Sequence, residues 1–313
     1  MNIFITGATG FIGSYLVKEL LNHNHQLTIL IRDESKKIPG TTSVLGDITK
    51  PETYRNAFQG MDAVFHNAAY AMDHGKKHDF YHVNVQGTRN IAEACINAKV
   101  PHLIYTSSAG VYGYPKQGTI ITEDTPKKPL NLYQKTKWEG EIALKDYHDS
   151  LKISAIRPPL VFGPESPALR IAFENLKKQK FPYVGSGEQL LPIAHPVDVA
   201  RLMRFILEKD TIGDVFNVLS FQVSIKKFME TITTKTGLNP PQKHVPFVLA
   251  YTAAMFSEFF SKQPTLTRFR VKSLGCTRLI NADKAKEKLG FTPEKDFNAT
   301  VDDIVSWYNK EIK

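Results

Sequence analysis

Residues 6–13 read Thr-Gly-Ala-Thr-Gly-Phe-Ile-Gly, directly after the apolar run Asn2–Thr6 and at the start of the amphipathic stretch Phe11–Asn22. Three glycines at that spacing, between a strand and a helix, constrain this chain more than anything else in it. Gly7 can take the backbone angles of a tight turn, Gly10 leaves the main chain bare, and Gly13 lets the first helical turn lie close on the strand. A helix N-terminus carries unpaired N–H groups and the positive end of the helix dipole, so the group that suits the bare loop is a phosphate. The pattern G-x-x-G-x-x-G is one residue longer between its first two glycines than the common dinucleotide fingerprint, but its strand–turn–helix setting is the one that fingerprint requires. Gly7, Thr9, Gly10, Phe11, Ile12 and Gly13 are therefore the expected contacts of a dinucleotide pyrophosphate.

The rest of the N-terminal half repeats the same alternation. Gln26–Ile31, 63–67, 100–107 and Lys152–Arg157 are short runs of strand character, separated by helical patterns at 51–58, 83–98 and 132–148. Strand–helix–strand repetition implies a parallel sheet with helices on both faces. Beyond Phe162 the rhythm loosens: "GPESP" and "YVGSGEQLLP" read as loops, 197–207 as a helix, 214–219 as a strand able to rejoin the sheet, and 221–313 as mainly helical. The expected fold is α/β, a Rossmann-type doubly wound parallel sheet with a smaller, mainly helical C-terminal cap. Residues 1–162, with return segments at about 193–219, form the dinucleotide-binding domain in this reading, and 163–192 with 220–313 form the substrate-binding cap.

The residue ending the second strand selects the cofactor. An acid there binds the ribose hydroxyls of NAD, whereas an arginine accommodates the 2′-phosphate of NADP. The run "LTILIRDES" ends on Ile31-Arg32, with Asp33 one residue further along, so NADP(H) is favoured through Arg32 and NAD(H) is the alternative.

Tyr133 and Lys137 are four apart in the helical pattern and hence on one face. Upstream, "YTSSAGVYG" ends a strand at Ser107-Ser108, and the C-terminal ends of parallel strands line the ligand crevice. Transfer of a hydride to a carbonyl leaves an alkoxide that must gain a proton. A phenol can donate it, a nearby ammonium is expected to lower the phenol's pKa, and a serine hydroxyl can hold the substrate oxygen. Ser108, Tyr133 and Lys137 are the candidate catalytic residues, with Lys137 also reaching the nicotinamide ribose.

These segments, together with "GDIT" at 46–49, "HNAA" at 66–69, "NVQGTRNIAEAC" at 84–95, "RPPLVFGP" at 157–164, "HPVDVA" at 195–200 and "DKAKEKLGFTP" at 283–293, resemble the extended short-chain dehydrogenases/reductases, also called the NAD(P)-dependent epimerase/dehydratase family. The resemblance runs through most of the chain. It implies that Asp47 contacts adenine with Ile48 beside it, that Ala68 lines the adenosine ribose, and that Pro158 and Val161 sit near the nicotinamide. It matches Ser108, Tyr133 and Lys137 to the family's catalytic set and gives Asn84 a structural role. "LIRDES", "TSSAG" and "PTLTRFRVKSL" at 264–274 look most like the dihydroflavonol reductase and 3β-hydroxysteroid dehydrogenase branch, which implies bulky, apolar carbonyl or alcohol substrates. Sugar-nucleotide dehydratases follow their catalytic threonine with Asp-Glu; Ala109-Gly110 stands here, which argues against dehydration.

Composition narrows the alternatives. Over 313 residues, 42% are hydrophobic and 23% charged, ordinary for a chain with a real core. The formal charge of +9 is spread over short pairs such as Lys36-Lys37, Lys127-Lys128 and Lys177-Lys178 and reads as a solvated surface, so no nucleic-acid partner is expected. Two cysteines, Cys95 and Cys276, give no disulfide framework, and with a strand beginning at residue 2 the expected location is cytoplasmic. No apolar run reaches the roughly 20 residues of a membrane span. Residues 245–260, "VPFVLAYTAAMFSEFF", come nearest and read first as a packed helix, with a pocket wall or a patch on a membrane surface left open. His74 and His78 lack a third ligand, so no metal is expected; His195 and Asp198 are read as helix-capping and packing residues. Helices 84–98 and 132–148 could pair across a two-fold axis in a homodimer. The leading function is a carbonyl–alcohol oxidoreductase. A sugar-nucleotide epimerase with tightly held NAD is the second reading, and a non-catalytic cofactor-sensing or RNA-binding protein the third.

Overall fold

A computed structural model describes residues 1–209, 213–261 and 263–312. Its centre is a seven-stranded sheet of β1 (Asn2–Thr6), β2 (Gln26–Ile31), β3 (Thr41–Leu45), β4 (Ala63–His66), β5 (His102–Thr106), β6 (Lys152–Arg157) and β7 (Val215–Asn217). The spatial order is β3-β2-β1-β4-β5-β6-β7, and every pairing is parallel. This is the doubly wound order, which reverses direction between β1 and β4 and opens a crevice at their C-terminal ends.

The central strands are largely apolar because both faces of the sheet are covered there. Ile3 and Ile5 of β1, with Leu27, Ile29 and Ile31 of β2, pack with the helices Phe11–Asn22 and Pro196–Glu208. The alternate residues, Phe4 and Leu30, join Val64, Ile91, Ala92 and Cys95 on the face that also takes Leu144 of the helix Leu132–Lys145.

Several elements differ from the sequence expectation. β3 has no counterpart in it: "TTSVL" is a polar edge strand whose residues stay partly exposed, so it carries no apolar run. The segment 51–58 forms two 3₁₀ turns, Pro51–Thr53 and Arg55–Phe58, in place of one helix. The helix expected from residue 83 starts earlier, as Lys77–Tyr81, and passes through a π turn, His82–Gln86, into Gly87–Asn97. Residues read as loop in "YVGSGEQLLP" include two strands, Tyr183–Val184 and Leu190–Ala194. The second pairs antiparallel with Phe221–Ser224 and parallel with Leu160–Val161. Pro192 and the flanking glycines disguise it.

Helices Pro167–Lys177, Ile225–Thr236 and Phe297–Glu311 share a separate core of Phe173, Phe228, Ile304 and Trp307. Phe247–Phe260 buries Ala250 and Ala254 against Val184 and Val271, with Phe247 and Tyr251 partly buried beside them. Phe256, Phe259 and Phe260 are 65, 80 and 78% exposed, so the expected packed helix is packed along one narrow side only. Among the described residues no helix is long and apolar enough to cross a membrane.

Candidate active site

The glycine loop lies at the sheet's reversal point. Gly7 has φ +70°, and a Cβ on it would fall 2.6 Å from the Ala68 backbone nitrogen, so β1 and β4 meet there without side chains between them. A Cβ on Gly13 would fall 2.0 Å from the Gly7 carbonyl oxygen. Gly13 therefore closes the turn from behind and, unlike the other loop residues expected to touch the dinucleotide, does not line the cleft. Gly10 is the N-cap of Phe11–Asn22, with no side-chain cap and no acid in the first turn. Its own Cβ position meets only the Gly7 oxygen, at 3.3 Å. A bare, uncapped helix N-terminus facing a cleft is the cradle a pyrophosphate fits.

Beneath the loop runs a buried chain of bonds. The Ala68 N–H donates to Thr6 Oγ1, Thr6 Oγ1 lies 2.8 Å from His66 Nδ1, and His66 Nε2 lies 3.0 Å from Thr88 Oγ1. The Thr88 hydroxyl donates to the Asn84 carbonyl, so it accepts from His66, and the ring is neutral with its proton on Nε2. Burial, with the Lys137 ammonium nearby, pushes His66 down to about 3.

The cleft has a volume of about 590 Å³. Thr9, Gly10, Phe11 and Ile12 form one end; Arg32, Asp47, Ile48 and Ala68 line the adenosine side; Ser108, Tyr133, Lys137, Pro158 and Val161 close the other end. Apart from Gly13, all the residues expected from sequence come together in one cavity. Asp33, the acid that competes with Arg32 in the sequence, caps the next turn by accepting from the Ser35 N–H at 2.9 Å, leaving Arg32 on the cleft. Burial opposes ionisation of Asp47, but bonds from the Thr49 N–H and hydroxyl, with Arg32 close by, hold its carboxyl below the usual range.

Ser108 ends the β5 segment as the N-cap of a 3₁₀ turn, and its Oγ accepts from the Gly110 N–H at 3.0 Å. Tyr133 and Lys137 lie on the helix Leu132–Lys145, which Asn131 caps by accepting from the Gln134 N–H. Burial pushes the Tyr133 phenol up to about 12, and a hydrogen bond with Ser108 only partly offsets it. The depression expected from Lys137 is absent: burial puts the lysine's own pKa well below that of the phenol, so the amine is neutral where the phenol ionises. Lys137 is 1% exposed and burial brings it down to about 7, against the pull of Glu141 one turn along. Its Nζ sits 4.0 Å from the centre of the Tyr105 ring.

One supporting group escapes a reading of the sequence, and a second, Asn84, has the structural role expected of it. Glu141 takes Arg157 Nε at 3.0 Å and Nη2 at 2.6 Å, and also accepts from the Ser107 hydroxyl, so a buried ion pair braces the strand end carrying Ser108. Only the position of Glu141 one turn after Lys137 hints at it. Asn84, inside the π turn, accepts from the Tyr70 N–H at 2.7 Å and donates to Thr136 Oγ1 at 3.0 Å, tying one cleft wall to the helix of Tyr133. His195 and Asp198 are structural as expected: His195 caps Pro196–Glu208, and buried Asp198 accepts from Ser220 and from the Glu294 and Lys295 N–H groups. Phe269, from Arg268–Gly275, closes the cleft from the C-terminal region and has no local signal.

Sheet order, bare loop and cleft define a Rossmann-type dinucleotide enzyme. The signature of the NAD dependent epimerase/dehydratase family matches residues 3–218, and the chain belongs to that family, among the NAD(P)-dependent enzymes of the extended short-chain dehydrogenase/reductase type. It is 31% identical over 322 residues to a sterol-4-alpha-carboxylate 3-dehydrogenase (decarboxylating) of Bos taurus, covering 96% of this chain and 90% of the relative. It is 30% identical over 318 residues to a 2-alkyl-3-oxoalkanoate reductase of Shewanella oneidensis, covering 92% of this chain and 81% of that one. The crystal structure of gox2253 superposes with a TM-score of 0.84 at 26% identity, covering 99% of this chain and 98% of that chain.

Proposed function

We propose that this chain interconverts a carbonyl and an alcohol on a small, apolar substrate, with Ser108, Tyr133 and Lys137 as its catalytic residues and NADP(H) as its favoured cofactor. The observation that carries this reading is the convergence of those three side chains at one end of the cleft whose other end is the bare glycine loop. A bound nicotinamide supplies the hydride chemistry. The chain's own residues handle the oxygen: the Ser108 hydroxyl bonds it, and the Tyr133 phenol gives it a proton in reduction and takes one back in oxidation. A phenol held near 12 is protonated at neutral pH, the form that can donate. Lys137, close to the Tyr133 end of the cleft, would hold the ribose of the bound nicotinamide nucleotide.

The choice of NADP(H) rests on Arg32, which lines the adenosine side while Asp33 is engaged in its own turn. An apolar substrate agrees with Pro159, Val161 and Phe269 in the cleft wall. It also agrees with the names of the two relatives, each of which denotes an apolar body with a carboxylate near the carbon that bears the oxygen.

The test is Tyr133→Phe, assayed by NADPH consumption against a panel of apolar ketones and aldehydes. The expected result is a fall in kcat of about 10²–10⁴-fold with NADPH affinity retained. A variant that keeps the turnover of an active wild type overturns the mechanism. Copurification of tightly held NAD, with no net cofactor consumption on a sugar nucleotide, would favour the epimerase reading.

A further inference from the structure

A small cavity of about 50 Å³ branches from the cleft beside Ser108 and Tyr133 and ends against Leu191 and Arg278. Two hydrogen-bond donors on its wall have nothing to bond. Gln134 is fully buried, and its Oε1 accepts from the Leu130 N–H at 2.6 Å, which fixes the amide's orientation. Its Nε2 then has no partner. Arg278 comes from the opposite side, pinned by its own backbone N–H on the Leu190 carbonyl at 2.9 Å. Its guanidinium lies 5.4 Å from the centre of the Tyr114 ring, and its Nε is shut from solvent without a partner.

The charge on Arg278 is also unanswered. Arg157 has Glu141, Arg204 has Glu19 and Glu208, Arg268 has Glu258 and Arg270 has Asp73. Among the described residues no carboxylate pairs with Arg278. Burial lowers its pKa, and the only groups pulling it back up are Tyr114 and Cys276. Tyr114 bonds the guanidinium, but the Arg278 Nε and the Gln134 Nε2 each lack an acceptor and destabilise the free protein unless a ligand brings the oxygens.

We propose that Arg278, with the Gln134 amide beside it, anchors a carboxylate carried by the substrate close to its reacting carbon. This rests on the reading of Ser108 and Tyr133 as catalytic, since they form the other wall of the same cavity. The size of the cavity sets the distance: it holds a carboxylate and little more, so the anion lies near the carbon whose oxygen Ser108 and Tyr133 hold. Pro159, Leu160 and Phe269 give it apolar walls beside Ser273, whose hydroxyl is engaged with Tyr114, and these suit an alkyl or ring body. The substrate class is an oxo- or hydroxy-carboxylic acid with an apolar body. A diphosphate presents the same kind of anionic oxygen and is the competing source.

The test is calorimetric titration of the NADP⁺-saturated protein with 3-hydroxydodecanoate, its methyl ester and UDP-glucose. The acid is expected to bind about 100-fold more tightly than the ester, the range of a charge-assisted bond to a partly buried arginine. Arg278→Met should erase that preference and Arg278→Lys restore part of it. Because Arg278→Met removes an unpaired charge, it should also raise the melting temperature of the ligand-free protein, a shift that a folding defect would reverse. Tyr133→Phe should keep the preference for the acid while losing turnover, so a failed catalytic reading and a failed anchor give different results. Acid and ester binding alike, no binding of the acid, or an unchanged preference in Arg278→Met overturns the proposal. Tight UDP-glucose binding that Arg278→Met abolishes assigns the arginine to a diphosphate and overturns it too.

Discussion

Replacing Lys137 with Met should make the ligand-free protein more stable while disabling it. Lys137 is 1% exposed, and burial brings its pKa from 10.5 down to about 7. The sign follows from proton counts. Below pH 7 the lysine is charged in both folded and unfolded chains, and the folded state bears the whole penalty of burying the ammonium, about 5 kcal/mol. Between about 7 and 10.5 the unfolded chain holds a proton that the folded chain has released, so wild-type stability climbs with pH. Above 10.5 the lysine is neutral in both states and the penalty is gone. At pH 7 the penalty is about 4 kcal/mol, and losing the contact with the Tyr105 ring returns about 1 kcal/mol. Methionine fills the same volume without a charge, so Lys137→Met should gain about 3 kcal/mol at pH 7. The assay is denaturant unfolding of both proteins at several pH values from 6 to 10. The variant's advantage should shrink steadily as pH rises from 7. An advantage independent of pH, or a variant less stable than wild type at pH 7, would refute the reasoning.

Other perturbations probe different parts of the site. Arg32→Ala should weaken NADPH about 10- to 100-fold and leave NADH nearly unchanged; equal losses in a fluorescence titration would remove Arg32 from cofactor choice. Gly13→Ala should cost about 3 kcal/mol or more in thermal or chemical unfolding, because its methyl would overlap the Gly7 carbonyl, whereas Gly10→Ala should fold and lose nucleotide affinity. Glu141→Ala leaves Arg157 buried and unpaired and should lose about 3–5 kcal/mol, and the double variant with Arg157→Met should recover most of it; additive losses in that cycle would mean the pair is not coupled.

Much of this molecule is legible in its amino-acid sequence. Asn2–Thr6, Phe11–Asn22, Gln26–Ile31 and Lys152–Arg157 form with the predicted bounds, because a parallel sheet covered on both faces needs unbroken apolar runs. Where that demand relaxes, the signal goes. β3 is an edge strand that stays partly wet, and Leu190–Ala194 carries a proline and follows two glycines that hold positive φ. The candidate site divides in the same way. Gly7, Arg32, Ser108, Tyr133 and Lys137 sit in local patterns whose spacing has chemical meaning. Phe269 and Arg278 reach the cleft from far along the chain, and only the packing of the C-terminal helices brings them there. Charge effects are the least legible part: the pKa of Tyr133 depends on how much water surrounds it and its neighbours, and spacing along a helix does not report that.

The π turn at His82–Gln86 amounts to one extra residue wedged into an otherwise regular helix. Without it, everything after residue 82 would rotate by about 100° relative to the turn before it, and Asn84 could not face Tyr70 and Thr136 together. Deleting a single residue from this stretch would therefore give a better helix and a worse enzyme: smoother backbone bonding, with the two walls of the cleft no longer bolted to each other. The irregularity is a spacer that keeps the helix of Tyr133 and the loop after β4 at a set separation, and the length of this segment is as much under constraint as its side chains.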